Sequence, residues 1–257
     1  MQKSGTKGKK KLDSTKKVGI LGHGEVGQAI AKFFASPRIK DLSRKDDFSG
    51  IDVLHVCIPW SNNFVDIVQK EIREYQPVLV IVHSTVIPGT TKKVGSIAVH
   101  SPVRGTHPNL YEGVRTFVKY IGADDQALGR LAQEHLESVG MKTKLFTSSL
   151  ATEVGKLLDT TYYGLCIAFH GEMKKLCDKL GVDFNDAVVD FNKTYNEGYG
   201  KLGMGHVARP VLYAPEGPIG GHCIIPNAEL LSEFFKSKAI DLVLKYKKKP
   251  TRDKKHG

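Results

Sequence analysis

The stretch Val18-Gly19-Ile20-Leu21-Gly22-His23-Gly24-Glu25-Val26-Gly27-Gln28-Ala29-Ile30-Ala31 decides the fold of this chain. A short apolar run of strand type leads into Gly22-x-Gly24-x-x-Gly27, and an amphipathic helical pattern follows to about Ala35. Each glycine in that spacing has a physical task at a dinucleotide. Gly22 permits the tight turn, Gly24 lets the backbone approach a pyrophosphate, and Gly27 lets the helix pack closely on the sheet. The pyrophosphate would rest on the helix N-terminus, opened by Glu25 and Val26, where unpaired N–H groups and the dipole favour anions. Asp41 follows Gly22 by 19 positions (41 − 22). A spacing of about 20 suits a carboxylate that accepts from the ribose 2′-hydroxyl. The expected cofactor is therefore NAD. Arg44, just past the expected strand Arg38–Leu42, could instead receive a 2′-phosphate, so NADP stays open.

Outward from that loop, strands and helices alternate. Asp52 to Pro59 reads as a buried strand, Ser61 to Tyr75 as a helix, and Val78 to His83 as another continuous apolar strand. A strand and loop at Ser96–Pro102, a strand at Thr116–Ile121, a helix at Asp124–Val139 and a strand at Lys142–Phe146 follow. Strands too apolar to face water argue for a parallel sheet with helices on both faces. The expected fold is α/β: a Rossmann-like doubly wound parallel sheet over residues 17–148. A smaller helical domain over residues 149–246 should carry the rest, with a long central helix at Leu150–Leu180, a second at Asp183–Tyr195 and a last at Ala228–Tyr246. Ligands in such sheets bind beyond the C-terminal strand ends. Pro59 and Thr85 occupy that rim.

The net charge of +11 would suggest a nucleic-acid binder, but it is concentrated at the ends. Residues 1–17 carry seven Lys and one Asp, and residues 245–257 six Lys, one Arg and one Asp, which is +6 each and leaves the body near −1. Composition predicts basic disordered tails at 1–16 and 247–257, and specific nucleic-acid binding is not expected of the fold. No apolar run approaches the ~20 residues that cross a bilayer, and no secretory signal is visible. Four cysteines without CxxC or metal-ligand spacing imply a reduced, cytoplasmic protein and no metal.

Far downstream, Pro215-Glu216-Gly217-Pro218-Ile219-Gly220-Gly221-His222-Cys223 sets one cysteine after a glycine turn, before a short helical pattern. A thiol held on such a turn can reach a bound carbonyl carbon. With the glycine loop, three further blocks appear in order: His83-Ser84-Thr85-Val86-Ile87-Pro88-Gly89-Thr90-Thr91, Glu153-Val154-Gly155-Lys156-Leu157, and the cysteine segment. Together they resemble the nucleotide-sugar dehydrogenases, which oxidise a sugar alcohol to an acid with two NAD. UDP-glucose, UDP-N-acetylmannosamine and GDP-mannose dehydrogenases are familiar members, and the helical part resembles that of 6-phosphogluconate dehydrogenase. The resemblance covers residues 17 to 230. It implies Cys223 as the nucleophile that forms a thiohemiacetal, Lys156 as a cation beside a developing oxyanion, and Thr85 near the nicotinamide and the substrate oxygen. For Lys156 the other reading is a solvated helix lysine, and for Thr85 a helix cap. It also points to Thr160, Asn227 and Gly221 on the substrate side. Arg104 and Arg209 could clamp an anion or simply be surface arginines.

Three positions depart from the family pattern. Val103 stands where the family has a glutamate that assists thioester hydrolysis, Thr160 replaces an asparagine, and Asn227 replaces an aspartate. The family also carries a second nucleotide-binding domain beyond the cysteine, whereas 34 residues (257 − 223) follow Cys223 here. A smaller substrate, a domain supplied by a partner chain, or lost catalysis would each fit that departure. The expected function is therefore an NAD-dependent dehydrogenase acting on CH–OH donors, with a sugar, sugar nucleotide or other alcohol or aldehyde as substrate. The alternative is a non-catalytic nucleotide- or sugar-nucleotide-binding protein on a degenerate dehydrogenase scaffold. A helix as long as 150–180 implies a homodimer formed through it.

Overall fold

The computed structural model describes residues 16–106, 108–220 and 223–248. Most of both lysine-rich tails, and with them the expectation of disorder there, lies outside the described residues, as do Gly221 and His222. The chain divides into two compact units, Met1–Lys156 and Leu157–Gly257.

The first unit holds seven strands: β1 (Val18–Leu21), β2 (Arg38–Lys40), β3 (Val53–Val56), β4 (Leu79–Val82), β5 (Ala98–His100), β6 (Lys119–Gly122) and β7 (Thr143–Phe146). They form one sheet in the order β2-β1-β3-β4-β5-β6-β7. β2, β1, β3, β4 and β5 pair in parallel, and β6 then meets β5 antiparallel at His100 and Gly122. The sheet is thus mostly parallel rather than wholly so, because β6 and β7 run together against the rest. Every residue of β1, β3 and β4 is buried. That is the physical meaning of their unbroken apolar sequence: both faces are covered.

Side chains alternate between two cores. Ile20, Val53, Leu79, Ile81 and Val99 meet one layer, in which Ala29, Ile30, Val114, Ala132 and Leu136 come from helices α1 (Glu25–Ala31), α4 (Leu110–Thr116) and α5 (Gln126–Ser138). Leu21, Leu54, Val56, Val80 and Val82 meet the other, with Phe64, Val68 and Val94 from α2 (Phe64–Tyr75) and α3 (Thr90–Val94). The sequence reading lacks α3 and α4. Both are short, of 5 and 7 residues, too brief for a 3.6-residue period to stand out.

Helix α6 (Ser149–Leu180) has 32 residues, about 48 Å at 1.5 Å per residue. Asp124 caps its start, taking the Ser149 N–H at 3.1 Å and the Ser149 hydroxyl at 2.9 Å. In the second unit a π-helical turn (Asn185–Asp190) leads into α7 (Phe191–Lys201), then a loop leads to α8 (Ile224–Phe234) and α9 (Lys238–Lys245). The expected single helix Ala228–Tyr246 is two, broken at Phe235, whose extended backbone precedes the Ser237 cap of α9. Leu157, Ala168, Ile224, Ile225, Leu231 and Val243 form the core here. Gly164 lets α8 approach α6, since a Cβ there would overlap the Ile224 side chain. Among the described residues no helix is long and apolar enough to cross a membrane.

Candidate functional site

The chain leaves β1 through Gly22, whose φ of 94° lies in the left-handed region that favours glycine. A Cβ there would stand 2.8 Å from the Cys57 carbonyl carbon and the Ile58 nitrogen. The Gly22 N–H donates to the Lys40 carbonyl at 2.8 Å, which ties the turn to β2. Gly24 precedes α1, and nothing lies within 4 Å of where its Cβ would be. The helix N-terminus therefore opens onto free space, with Glu25 exposed and Val26 half-buried behind it. A Cβ on Gly27 would overlap the Gly22 carbonyl oxygen. Turn, open approach and close packing are thus the separate tasks of the three glycines.

Asp41 lies directly after β2. Its carboxylate accepts the His23 N–H at 2.6 Å and the Leu42 N–H at 2.7 Å. Those bonds, that of His23 first, hold its carboxyl below the usual range. The group is fixed, ionised and still has acceptor capacity. A cavity of about 840 Å³ opens at these strand ends, lined by Gly22, Gly24, Asp41, Ile58, Pro59 and Tyr75 among others. It sits where β1 has β2 on one side and β3 on the other, the switch point at which open α/β sheets take ligands. Lys40, also on its wall, donates to Glu71 and to the Tyr75 hydroxyl, each at 2.9 Å. Arg44 is held by Asp46 through bonds of 2.7, 2.9 and 3.1 Å. Its guanidinium thus already has a carboxylate partner. These residues fit an adenosine diphosphate moiety: an open helix N-terminus for the phosphates and a placed carboxylate for a ribose hydroxyl.

Thr85 stands half-buried beyond β4, on the rim. Its neighbour Ser84 donates to the Ile58 carbonyl at 2.6 Å and so joins the loops after β3 and β4. Lys156 is half-buried on α6. One turn earlier, Glu153 is fully buried and accepts from the Gly89 N–H, the Thr91 N–H and the Thr91 hydroxyl at 2.6 to 2.7 Å. Burial raises its carboxyl, against the pull of those donors. Glu153 anchors α6 to the loop that follows Thr85, a role its place in the sequence block did not announce. Arg104 lies with its guanidinium 4.7 Å from the Tyr120 ring centre. Val103 is buried in the first core beside Leu110 and Val114, so the position the resemblance gives to a glutamate is a packing position here.

In the second unit Cys223 is half-buried at the residue that caps α8. Its carbonyl accepts the Asn227 N–H at 3.0 Å. The Asn227 side chain is buried, and its Nδ2 has no hydrogen-bond partner among the described residues. Thr160 is buried on α6, and Arg209 is stacked 4.3 Å from the Tyr195 ring centre.

Sequence reading missed a set of buried histidines under the rim, because their partners lie 28 and 80 residues apart: His55 with His83, and His55 with His135. Among the described residues no cluster of His, Cys, Asp or Glu could hold a metal ion.

These features define a Rossmann-type doubly wound fold with a dinucleotide-type glycine loop. No model of a known protein family matches the chain. It is 24% identical over 231 residues to the UDP-N-acetyl-D-mannosamine dehydrogenase of Pyrococcus horikoshii, covering 80% of this chain and 52% of that protein. To the enzyme of the same name from Methanococcus vannielii it is 28% identical over 152 residues, 57% of this chain and 33% of that one. The solved Pyrococcus horikoshii UDP-D-ManNAc dehydrogenase shares the fold with a TM-score of 0.71 at 19% identity, over 90% of this chain and 68% of that one. The 3-hydroxyisobutyrate dehydrogenase of Mycobacterium tuberculosis gives 0.62 at 14% identity, over 90% and 92%. In sequence and fold the chain is nucleotide-sugar dehydrogenase-like, and it spans a third to a half of the length of the curated relatives it matches.

Proposed function

We propose that this chain is an NAD-dependent oxidoreductase acting on a CH–OH donor, a sugar nucleotide being the first candidate. The observation that carries the reading is the glycine loop with Asp41 fixed across it, at a cavity large enough for an adenosine moiety. Gly22, Gly24, Glu25, Val26 and Gly27 would cradle the pyrophosphate, Asp41 would accept from the ribose, and Pro59 and Thr85 would border the nicotinamide. Arg44's ion pair with Asp46 supports NAD over NADP. The bound nicotinamide would supply a hydride acceptor.

The residues' own part follows from their chemistry. Lys156 would stabilise negative charge on the substrate oxygen as the alcohol loses its proton and hydride. Cys223 would add as thiolate to the aldehyde carbon, giving a thiohemiacetal that would lose a second hydride to a second NAD and become a thioester. Water would then release the acid and return the thiol. Thr160, Gly221, Asn227 and Arg104 would hold the substrate. The proposal includes a cytoplasmic homodimer formed through α6, which exposes Leu158, Tyr162, Phe169, Leu176 and Leu180.

One observation favours a second reading, a nucleotide-binding protein without turnover: buried Val103 cannot act as the base that deacylates a thioester. Reduced-cofactor formation with a panel of UDP-sugars separates the two. The enzyme reading expects turnover that Cys223→Ser abolishes. Absence of turnover with retained NAD binding selects the second reading.

A further inference from the structure

The proposed chemistry makes no use of four histidines in the first unit. His55 on β3, His83 after β4, His100 on β5 and His135 on α5 are each 3% exposed or less. Three of them form one chain. His83 Nδ1 lies 2.9 Å from the Ser101 carbonyl, which can only accept, so the hydrogen sits on Nδ1 and Nε2 must accept. His55 Nδ1, 2.8 Å from that Nε2, is then the donor. His55 Nε2 is left to accept, and His135 Nε2 donates to it at 2.9 Å. Three neutral rings carry just the hydrogens that these three contacts need. A further proton on any of the three rings keeps these contacts only if the donors reverse between that ring and His135 and His135 carries a hydrogen on Nδ1, which leaves an imidazolium among buried groups.

Among the described residues, no carboxylate acts on the four rings. Lys119 on β6 is buried and donates to the Ser101 and Pro102 carbonyls. Cys57, after β3, is a thiol that burial pushes up to about 12, so it supplies no anion. Lys16 acts on His135, and Lys119 and Lys156 act on His100, all as cations. Phe34 stacks on His135 at 5.5 Å. His100 donates from Nε2 to the Ser84 carbonyl at 3.1 Å and meets the Thr152 hydroxyl through Nδ1 at 2.9 Å. Ser84 adjoins the rim residue Thr85, so His100 is tied through the Ser84 carbonyl to the loop after β4.

We propose that these neutral imidazoles form an acid-sensitive lock within the first unit: at neutral pH they tie β3, β4, β5 and α5 together, and proton uptake below about pH 6.5 opens the unit and abolishes nucleotide binding. The sign follows from burial. It lowers all four histidines, His100 to about 3 and His135 to about 4, so the unfolded chain takes up protons that the folded chain refuses. Stability is therefore lost as pH falls through the unfolded value of about 6.5. The raised carboxyl of Glu153 works against it, as a single group. The loss of nucleotide binding rests on the dinucleotide reading; the stability change does not.

The chain's single tryptophan, Trp60, reports on the first unit in urea unfolding of the full chain. Each refused proton multiplies the unfolding constant about tenfold between pH 7.5 and 5.5. Four histidines less one carboxyl predict a rise of at least about 10³-fold. The double variant His55→Leu/His135→Phe should lose about 100-fold of that rise. Should it fail to fold, imidazole ¹⁵N spectra of the unaltered protein at pH 6 decide: four neutral rings support the lock. A rise below tenfold, an unchanged rise in the double variant, or an imidazolium at any of the four overturns it. Calorimetry with NAD over the same range should show binding lost together with the fold. Failure to bind NAD at pH 7.5 would instead refute the dinucleotide reading and leave the lock to the unfolding data.

Discussion

Single atoms decide the glycine loop. A methyl group at Gly27 would meet the Gly22 carbonyl oxygen, a backbone atom that cannot swing away. Gly27→Ala should therefore destabilise the first unit by about 1–3 kcal/mol, the usual penalty of overpacking, as read by urea unfolding. Gly24→Ala has free space around it and should leave stability within about 0.5 kcal/mol, the range of substitutions away from packed features. The pair thus separates a packing glycine from an approach glycine. Asp41 is a subtler case. Its carboxylate is bonded to the His23 N–H, so Asp41→Ala removes both a brace for the loop and the acceptor for a ribose hydroxyl. A fall of about tenfold or more in NAD affinity is expected from one lost charged hydrogen bond. The 19-residue spacing made Asp41 legible in the sequence. The bond to His23 was not legible, because backbone donors leave no mark on residue identity.

At the scale of elements, legibility followed length and purity of pattern. β1, β3, β4, α2 and α5 were readable because strands buried on both faces are unbroken apolar runs and the helices are amphipathic. The short helices α3 and α4, the antiparallel turn of β6 and the break at Phe235 were not. Each is set by partners distant in sequence or by one capping residue. Asp125 caps the readable helix α5, accepting the Ala127 N–H at 2.7 Å and the Leu128 N–H at 3.3 Å. Asp125→Ala should cost about 1 kcal/mol in unfolding free energy, with no change in nucleotide affinity. On α6, exposed Tyr162 and Phe169 belong to the stripe proposed to pair two copies. Light scattering should show a dimer that Tyr162→Glu/Phe169→Glu converts to monomer. A monomer at all concentrations before substitution would refute pairing through this helix.

For the whole molecule, the sequence motifs divide between two units. The glycine loop, Asp41, Thr85 and Lys156 lie in the first, and Cys223, Thr160 and Asn227 in the second. The sequence offered Thr85, Lys156 and Cys223 as candidates through the short blocks that hold them, and Asp41 through its spacing from Gly22. It could not disclose that Val103 is core, nor that Asn227 carries an open buried donor, since both depend on packing. The proposed turnover calls on residues of both units, whereas the residues proposed to hold the cofactor lie in the first. Cys223→Ser should therefore abolish any reduced-cofactor formation while leaving NAD affinity within about twofold, since every residue proposed for the pyrophosphate and the ribose lies elsewhere. Cofactor binding at the glycine-loop crevice underlies every functional step proposed, and calorimetric titration of the full chain with NAD at pH 7.5 measures it directly. The predicted result is saturable one-site binding that weakens in Asp41→Ala and exceeds that of NADP. The absence of any saturable heat with NAD or NADP at millimolar concentration would contradict it.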